Sequence, residues 1–283
     1  MIDQIQLREA LSSELEPITV YKQPVFSCNG SPEPVAYRTE TVLNSTLVGR
    51  LEPQDYQSTA DKSARGILLA DRTLYSVCKA IELLPESENR IKWFSLYCPV
   101  SMITETDLID TLGKLFGEDK EKRKKLMLEF PVSALYEDSE KLRGTLLDMK
   151  LLGVKSALAG YGTEFCPMMR LAAFPFDCVI LDPEVRSLMQ RDQKAAETLI
   201  AYARSLRIDV VATGIENGEE EAPLYYRADC FGYTDVSTKE KLLPESKVKV
   251  TADGITSYYI KTLKEKEEQA NTVPQAEAPA AEE

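Results

Sequence analysis

The chain has 283 residues, of which 43% are hydrophobic, and its formal net charge is −12. This length is sufficient for one large hydrophobic core or two modest ones. The acidic balance argues against a nucleic acid polymer as partner, because neutralising phosphates requires a basic surface. No run of about 18 uncharged apolar residues occurs, so we expect no membrane span and no membrane partner. The N-terminus lacks the pattern of a signal peptide, and we expect a cytoplasmic protein.

Histidine is absent from the chain. Its absence excludes Ser-His-Asp and Cys-His catalytic sites and any metal site with histidine ligands. Catalysis would have to rest on carboxylates, lysine or an oxygen-ligated metal such as Mg²⁺. The cysteines are widely separated and form no Cys-x-x-Cys pair, which is typical of buried, reduced thiols rather than of zinc ligands or disulfides.

Apolar spacing and turn residues predict alternating helices and strands along the chain. In the first part, the predicted elements are a helix over Ile2–Leu15, strands over Ile18–Ser27 and Pro34–Leu43 around a turn at Asn29-Gly30, a helix over Asp61–Leu84 and a strand over Ile91–Val100 that contains Trp93. In the second part, they are helices over 106–116, 138–152, 167–173 and 193–206 and strands over 126–130, 154–158, 178–181, 208–212 and 229–233. About eight strands separated by helices fit a single TIM-like (β/α)8 barrel of the α/β class.

Composition divides the chain into three parts. The barrel is expected over residues 1–245, a C-terminal extension able to form a helix over 246–266, and a disordered acidic tail over 267–283.

In the helix over 193–206, the spacing places Ala195, Leu199, Tyr202 and Leu206 on the inward face.

The apolar runs of the second half end in short polar turns that offer only scattered acids. The carboxyl ends of parallel strands normally carry the active site of such a barrel. Glu129, Asp182 and Glu216 are the acids found there. The scaffold of an enzyme is therefore predicted, with little of the chemistry that catalysis needs.

The ordered set of segments resembles the EAL domain, the bacterial barrel that hydrolyses cyclic di-GMP. The resemblance covers roughly residues 5 to 245 and rests on six segments taken together. They are Tyr21-Lys22-Gln23-Pro24-Val25, Leu128-Glu129-Phe130-Pro131-Val132-Ser133, Ala157-Leu158-Ala159-Gly160-Tyr161-Gly162-Thr163, Val179-Ile180-Leu181-Asp182, Val211-Ala212-Thr213-Gly214-Ile215-Glu216 and Cys230-Phe231-Gly232-Tyr233. The resemblance implies a cyclic di-GMP signalling protein whose active relatives use one or two Mg²⁺ or Mn²⁺ ions.

Position by position, most of the machinery that the resemblance implies is replaced. The signature Glu-Ala-Leu falls on Arg38-Thr39-Glu40, so a cation stands where the first metal-binding glutamate is expected. The other replaced positions are Val42 for an arginine, Tyr97 near an asparagine ligand, Val132 for a glutamate, Ala159 and Gly160 for paired aspartates, Ile180 for a lysine, Thr213 for the catalytic glutamate and Phe231 for a glutamine. The retained positions, with Arg38 beside them, form the candidate ligand-binding set: Gln23, Arg38, Glu129, Asp182 and Glu216.

A hard divalent cation needs about six oxygen ligands, usually with several carboxylates. Only Glu129 is a clearly retained ligand position, and Arg38 could instead pair with it. We therefore expect no metal, no cofactor and no enzymatic activity. The first hypothesis is a non-catalytic module that binds an unknown protein partner, and the alternative is a receptor that binds cyclic di-GMP without hydrolysis. An active phosphodiesterase ranks last, and a homodimer is expected from the resemblance alone.

Overall fold

The computed structural model describes residues 18–45, 47–62, 64–117, 119–137, 139–163, 166 and 168–243. The strands are β1 (Ile18–Phe26), β2 (Pro34–Ser45), β3 (Gly49–Leu51), β4 (Phe94–Tyr97), β5 (Leu126–Pro131), β6 (Lys155–Tyr161), β7 (Cys178–Leu181), β8 (Asp209–Ile215), β9 (Gly232–Asp235) and β10 (Glu240–Lys241). The α-helices are α1 (Pro53–Ala60), α2 (Ala64–Glu82), α3 (Val100–Thr104), α4 (Leu108–Lys114), α5 (Lys120–Lys124), α6 (Ala134–Glu137), α7 (Ser139–Leu152), α8 (Met168–Leu171), α9 (Glu184–Arg191), α10 (Gln193–Ser205) and α11 (Gly218–Arg227). The predicted helix over Ile2–Leu15 and the two C-terminal parts lie outside the described residues.

All described strands except β3 and β10 close into one barrel, which confirms the predicted fold class. Neighbouring strands from β2 through β4 to β9 pair in parallel, and β1 closes the ring by pairing antiparallel with both β2 and β9. The antiparallel start follows from the sequence, because the turn at Asn29-Gly30, with Gly30 at φ +85°, reverses the chain between β1 and β2. The short strands β3 and β10 extend the sheet beyond the barrel, at β2 and β1.

Side chains of alternate strand residues point into the barrel, since successive strand residues face opposite sides. The lower interior is a small apolar cluster centred on Trp93, Met127, Val25 and Val211. The larger core lies between the strands and the surrounding helices. At the next interior level, toward the carboxyl ends of the parallel strands, the side chains on β1, β2, β4, β5 and β8 are polar, namely Gln23, Arg38, Ser95, Glu129 and Thr213, and this layer positions the candidate site.

The six cysteines are buried free thiols, as the sequence predicted. Burial raises the pKa of Cys28 to about 12 and that of Cys166 to about 11. None of the helices within the described residues is long and apolar enough to cross a membrane.

Several predicted boundaries were wrong. The strand expected over Ile91–Val100 is only β4, and Trp93 lies just before it, although its carbonyl accepts a hydrogen bond from Tyr37 N (3.0 Å). Helix α10 buries Ala196, Ile200 and Ala203, each one residue after a predicted inward position. Of the predicted set, Leu199 and Leu206 also pack against the core but are only partly buried. The small side chains let the helix pack closely on the barrel, and Leu199 and Leu206 cover the edge of that contact.

The elements that were not predicted include helices α9 and α11, together with the short helices α3, α5 and α6. Helix α9 buries only Val185 and Met189, and α11 contains Pro223 and a first turn of acidic residues. Such polar, interrupted sequences carry a weak helical pattern. Both helices pack against the barrel, α9 against β8 and α11 against β8 and β9.

Candidate functional site

A cavity of about 720 Å³ opens at the carboxyl ends of the parallel strands. Its floor is the polar layer above the apolar barrel interior, and its walls come from α1, the start of α2 and the strand-end turns. Four of the five candidate residues line it, namely Gln23, Arg38, Glu129 and Asp182. The barrel therefore brings together residues that are more than 150 positions apart in the sequence.

The central feature of the floor is an ion pair between Arg38 on β2 and Glu129 on β5. Arg38 Nε donates to Glu129 Oε1 at 2.9 Å, and Arg38 Nη2 donates to Oε2 at 2.6 Å. Ser95 on the intervening β4 also donates its hydroxyl to Glu129 Oε1. The Glu129 side chain is 3% exposed and that of Arg38 is 18% exposed. Both carboxylate oxygens are thus engaged by the protein itself.

Strand register explains why these residues meet. Arg38 pairs with Ser95 across β2 and β4, and Glu129 pairs with Tyr97 across β4 and β5. Ser95 and Tyr97 are two residues apart and face the same side of β4. A further hydrogen bond from Thr39 Oγ1 to the Ser95 carbonyl (2.7 Å) ties β2 to β4 at this level. The pair is held by backbone geometry as well as by charge.

The charges stabilise each other strongly in this buried setting. Burial lowers the pKa of Arg38, but the charge and hydrogen bonds of Glu129 outweigh it and hold the pKa of Arg38 above its ordinary value. A bidentate guanidinium–carboxylate pair is among the stronger hydrogen-bonded contacts in proteins. The sequence suggested that Arg38 could pair with Glu129, and this ion pair is present in the structure.

A second polar contact lies on the wall of the cavity. Tyr97 donates its hydroxyl to Asp61, which directly follows α1. Burial raises the pKa of Asp61, the hydrogen bond from Tyr97 opposes this rise, and the charge of Glu137 adds to it. Burial, together with Asp61, raises the pKa of Tyr97. This tyrosine occupies the position near which the family resemblance places an asparagine ligand.

The strand-end turns carry little reactive chemistry. Asp182 accepts a hydrogen bond from Glu184 N at 2.9 Å, which organises the turn into α9. Thr213 donates to the Leu181 carbonyl at 2.7 Å. Gly160 and Gly214 have φ of +84° and +74°, a conformation that favours glycine.

The remaining candidates make structural contacts. Gln23 Nε2 donates to the Asp235 carbonyl at 2.7 Å, which connects β1 to the end of β9. Glu216 lies outside the cavity lining, with a 65% exposed side chain, and pairs with Arg186 at 2.8 Å. The structure therefore does not bring Glu216 together with the other four candidates in the cavity.

Arg186 also forms a two-point ion pair with Glu221 on α11, at 2.7 and 3.0 Å. Burial raises the pKa of Glu221, but the hydrogen bonds from Arg186 and from the backbone N–H groups of Asn217 and Glu216 outweigh it. The pKa of Glu221 is therefore held below its ordinary value. This contact fixes α9 against α11 beside the site.

The residues present do not fit the divalent metals that the resemblance implies. Among the described residues, no three histidine, cysteine, aspartate or glutamate side chains gather in a set that could hold a metal ion. Glu129 Oε1 and Oε2 already accept three hydrogen bonds, and the Arg38 guanidinium lies within 2.9 Å of them. A cation would have to displace a paired guanidinium, which is unfavourable for two like charges in a buried site.

The sequence analysis did not single out Ser95, which is buried and binds Glu129, or two residues of the cavity lining, Asp61 and Lys239. Ser95 was recoverable from the two-residue strand period, because it faces the same side as Tyr97. Asp61 and Lys239 carry no local signal, since loops bring them to the cavity. Lys239 reaches Glu40 on β2 at 2.5 Å from the segment between β9 and β10.

Solved structures share this architecture. The phosphodiesterase PaMucR, in complex with c-di-GMP, aligns with a TM-score of 0.69 and 18% identity over 82% of this chain and 93% of that one. The FimX EAL domain of Pseudomonas aeruginosa, bound to c-di-GMP, aligns with a TM-score of 0.67 and 14% identity over 84% of this chain and 96% of that one. At these identities the likeness shows the fold.

Sequence comparison gives the family. The cyclic di-GMP phosphodiesterase PdeR of Escherichia coli is 24% identical over 223 residues, which are 76% of this chain and 32% of that protein. The chain spans a third or less of the length of the curated relatives it matches. The EAL domain model matches residues 5–228. The chain therefore belongs to the EAL domain family.

Proposed function

We propose that this EAL domain does not hydrolyse a phosphodiester and acts as a regulatory signalling module that binds a protein partner. The observation that carries the proposal is the buried pair of Arg38 with Glu129. The glutamate that the resemblance assigns to a metal is bound by a guanidinium at two points, with Ser95 on the same carboxylate.

Loss of the other catalytic groups supports the same reading. Ile180 and Thr213 line the cavity where the resemblance implies a lysine and a glutamate. Neither side chain can serve as a general base near neutral pH. Hydrolysis would then lack both the metals and the groups that position and activate water.

A second candidate function is a receptor that binds cyclic di-GMP without hydrolysis. The open cavity of about 720 Å³ favours it, because this volume is within the usual range for ligand sites. Related EAL structures bound to c-di-GMP add support. The charges of the lining oppose it, since Arg38 and Lys239 face four acids, Glu40, Asp61, Glu129 and Asp182. A ligand with two phosphates would meet a net charge of −2 (two cations minus four acids).

Two measurements on the full chain test these functions. The first is turnover of cyclic di-GMP with Mg²⁺ or Mn²⁺, followed chromatographically. We expect none. Metal-dependent turnover that Glu129→Ala abolishes, and that the matched change Glu184→Ala on the exposed first turn of α9 leaves intact, would overturn the proposal.

The second measurement is calorimetric titration with cyclic di-GMP in the absence and presence of Mg²⁺. Binding without turnover would establish the receptor, with a gain of about 2.7 kcal/mol in unfolding free energy at a hundredfold excess over Kd. If titration releases no heat, the receptor function is excluded and the protein-binding module remains as the proposed function. Sedimentation of the same sample tests the homodimer expected from the family.

A further inference from the structure

A second cavity, of about 630 Å³, lies at the opposite end of the barrel from the candidate site. Helix α7, the start of β6 and the turn between α10 and β8 surround it. We call it the lower cleft. Its charged lining consists of four cations and two acids, namely Arg143, Lys150, Lys155, Arg207, Asp177 and Asp209.

The two acids of the lower cleft are already engaged by the protein. Asp177 Oδ2 accepts hydrogen bonds from Ser156 N (3.0 Å) and Ser156 Oγ (3.3 Å), and its Oδ1 lies 3.4 Å from Lys150 Nζ. Asp209 pairs with Arg204, outside the cleft lining, at 2.6 Å. Neither acid is left to neutralise the other cations.

The remaining cations have no such partner. Within the part of the chain that the structure describes, no carboxylate lies within ion-pair distance of Arg143, Lys155 or Arg207. They come from three separate elements, so their convergence is produced by the fold and not by a run of basic residues. Like charges that gather without counter-charges repel one another, unless an anion joins them.

The turn that presents Arg207 is also unusual. Arg207 has φ of +62°, a left-handed conformation at the end of α10 where glycine is favoured. Its N–H donates to the Arg204 carbonyl at 2.9 Å, and Ile208 N donates to the Ala203 carbonyl at 3.2 Å. The Arg207 side chain lines the lower cleft. A glycine at this position would leave that part of the cleft without a charge.

The charge of the cleft is opposite to that of the candidate site. The lower cleft carries +2 (four cations minus two acids), whereas the cavity above carries −2 and the whole chain −12. An anion is therefore attracted to one end of the barrel and repelled from the other.

We propose that the lower cleft binds a small polyanion that carries two phosphate groups. Arginine guanidinium groups favour phosphate because their planar N–H groups donate to two oxygens at once. Arg143 and Arg207 supply two such groups, and Lys155 adds a point charge between the elements that bear them. A volume of about 630 Å³ accommodates a diphosphate with a further small group attached.

The test is calorimetric titration of the full chain with inorganic pyrophosphate in low salt, without divalent cations. We expect one site. Arg143→Gln and Arg207→Asn should each weaken binding by about tenfold, because each removes a charge-assisted contact. Asparagine tolerates the left-handed conformation, so the second variant removes charge without disturbing the turn. Unchanged thermal melting confirms that both variants are folded.

Two matched controls locate the site. Arg191→Gln removes an exposed arginine that lies outside both cavities, and Lys239→Gln removes a cation of the upper cavity. Both should leave pyrophosphate affinity unchanged. The proposal is overturned if pyrophosphate gives no heat, or if Lys239→Gln weakens binding and the two cleft variants do not. It is also overturned if binding occurs only to vesicles of phosphatidylglycerol, which would identify a lipid surface as the source of phosphate.

Discussion

Removal of Arg38 should destabilise the fold strongly. In Arg38→Met, the Glu129 carboxylate stays in a position where 3% of its side chain is exposed. It loses two hydrogen bonds, of 2.9 and 2.6 Å, and retains only the one from Ser95. Breaking a buried ion pair from one side typically costs about 3–5 kcal/mol, because a buried charge is left without compensation. We expect a loss of that size in the free energy of unfolding at neutral pH.

The pairwise origin of this loss can be separated from the loss of arginine packing. The double variant Arg38→Met with Glu129→Gln removes both charges and keeps the shape of the glutamate. It should therefore be more stable than the sum of the two single changes predicts, with a coupling of about 2 kcal/mol. The matched control is Arg50→Met, which breaks an exposed pair with Glu52 and should cost at most about 1 kcal/mol.

Urea unfolding followed by circular dichroism measures the unmutated protein, the two single variants, the double variant and Arg50→Met. Equal slopes against urea would show that stability, and not the compactness of the unfolded chain, has changed. If Arg38→Met cost no more than Arg50→Met, or if the double variant showed no coupling, the reasoning that Arg38 neutralises a buried Glu129 would be refuted.

Three further substitutions and one labelling experiment give independent checks. Gly162→Ala should lower the free energy of unfolding by about 3 kcal/mol, because its Cβ would lie 2.4 Å from Val185 Cγ2 at a φ of +101°. Gly144→Ala lies on an exposed helix face with nothing within 4 Å, and it should raise the free energy of unfolding by about 0.5–1 kcal/mol. Thermal melting of both variants measures these changes. Glu221→Gln should lower stability by about 1 kcal/mol at pH 7. Since the pKa of Glu221 is held low in the folded protein, the difference should be full above the unfolded value of about 4.3 and should be lost as pH falls through the lower pKa of the folded state. A difference that persists at pH 2 would contradict this origin. The six buried cysteines should react with a thiol reagent at pH 8 only after unfolding, and rapid labelling of the native protein would show that the core opens locally.

The alternation of strands and helices was predictable because each barrel strand is a short apolar run between turn residues. Helices α9 and α11 were not, since their polar faces leave little periodic signal. For α10, the one-residue error in the first three inward positions arose because small residues, Ala196 and Ala203, face the barrel. Hydrophobic spacing favours larger side chains, whereas close packing against strands here selects smaller ones.

The candidate site was predictable in part. Glu129 and Asp182 follow from their positions at strand ends, Gln23 and Arg38 follow from the family resemblance, and all four line one cavity. Glu216 follows its strand just as closely, yet its side chain turns outward to Arg186. The direction of a side chain beyond the last strand residue depends on the turn and on the partners nearby, which sequence position does not specify.

The sequence by itself determined the family and the closed barrel, because these follow from residue types in a fixed order, and it led to the proposal that most expected catalytic residues are replaced. Only the tertiary structure decided that Arg38 binds Glu129 at two points, that Ser95 joins them and that Asp61 and Lys239 reach the same cavity. It also decided that cations from α7, β6 and the α10–β8 turn gather at the far end of the barrel. These contacts join residues distant in sequence, and their geometry depends on strand register and helix packing, which are properties of the folded chain as a whole.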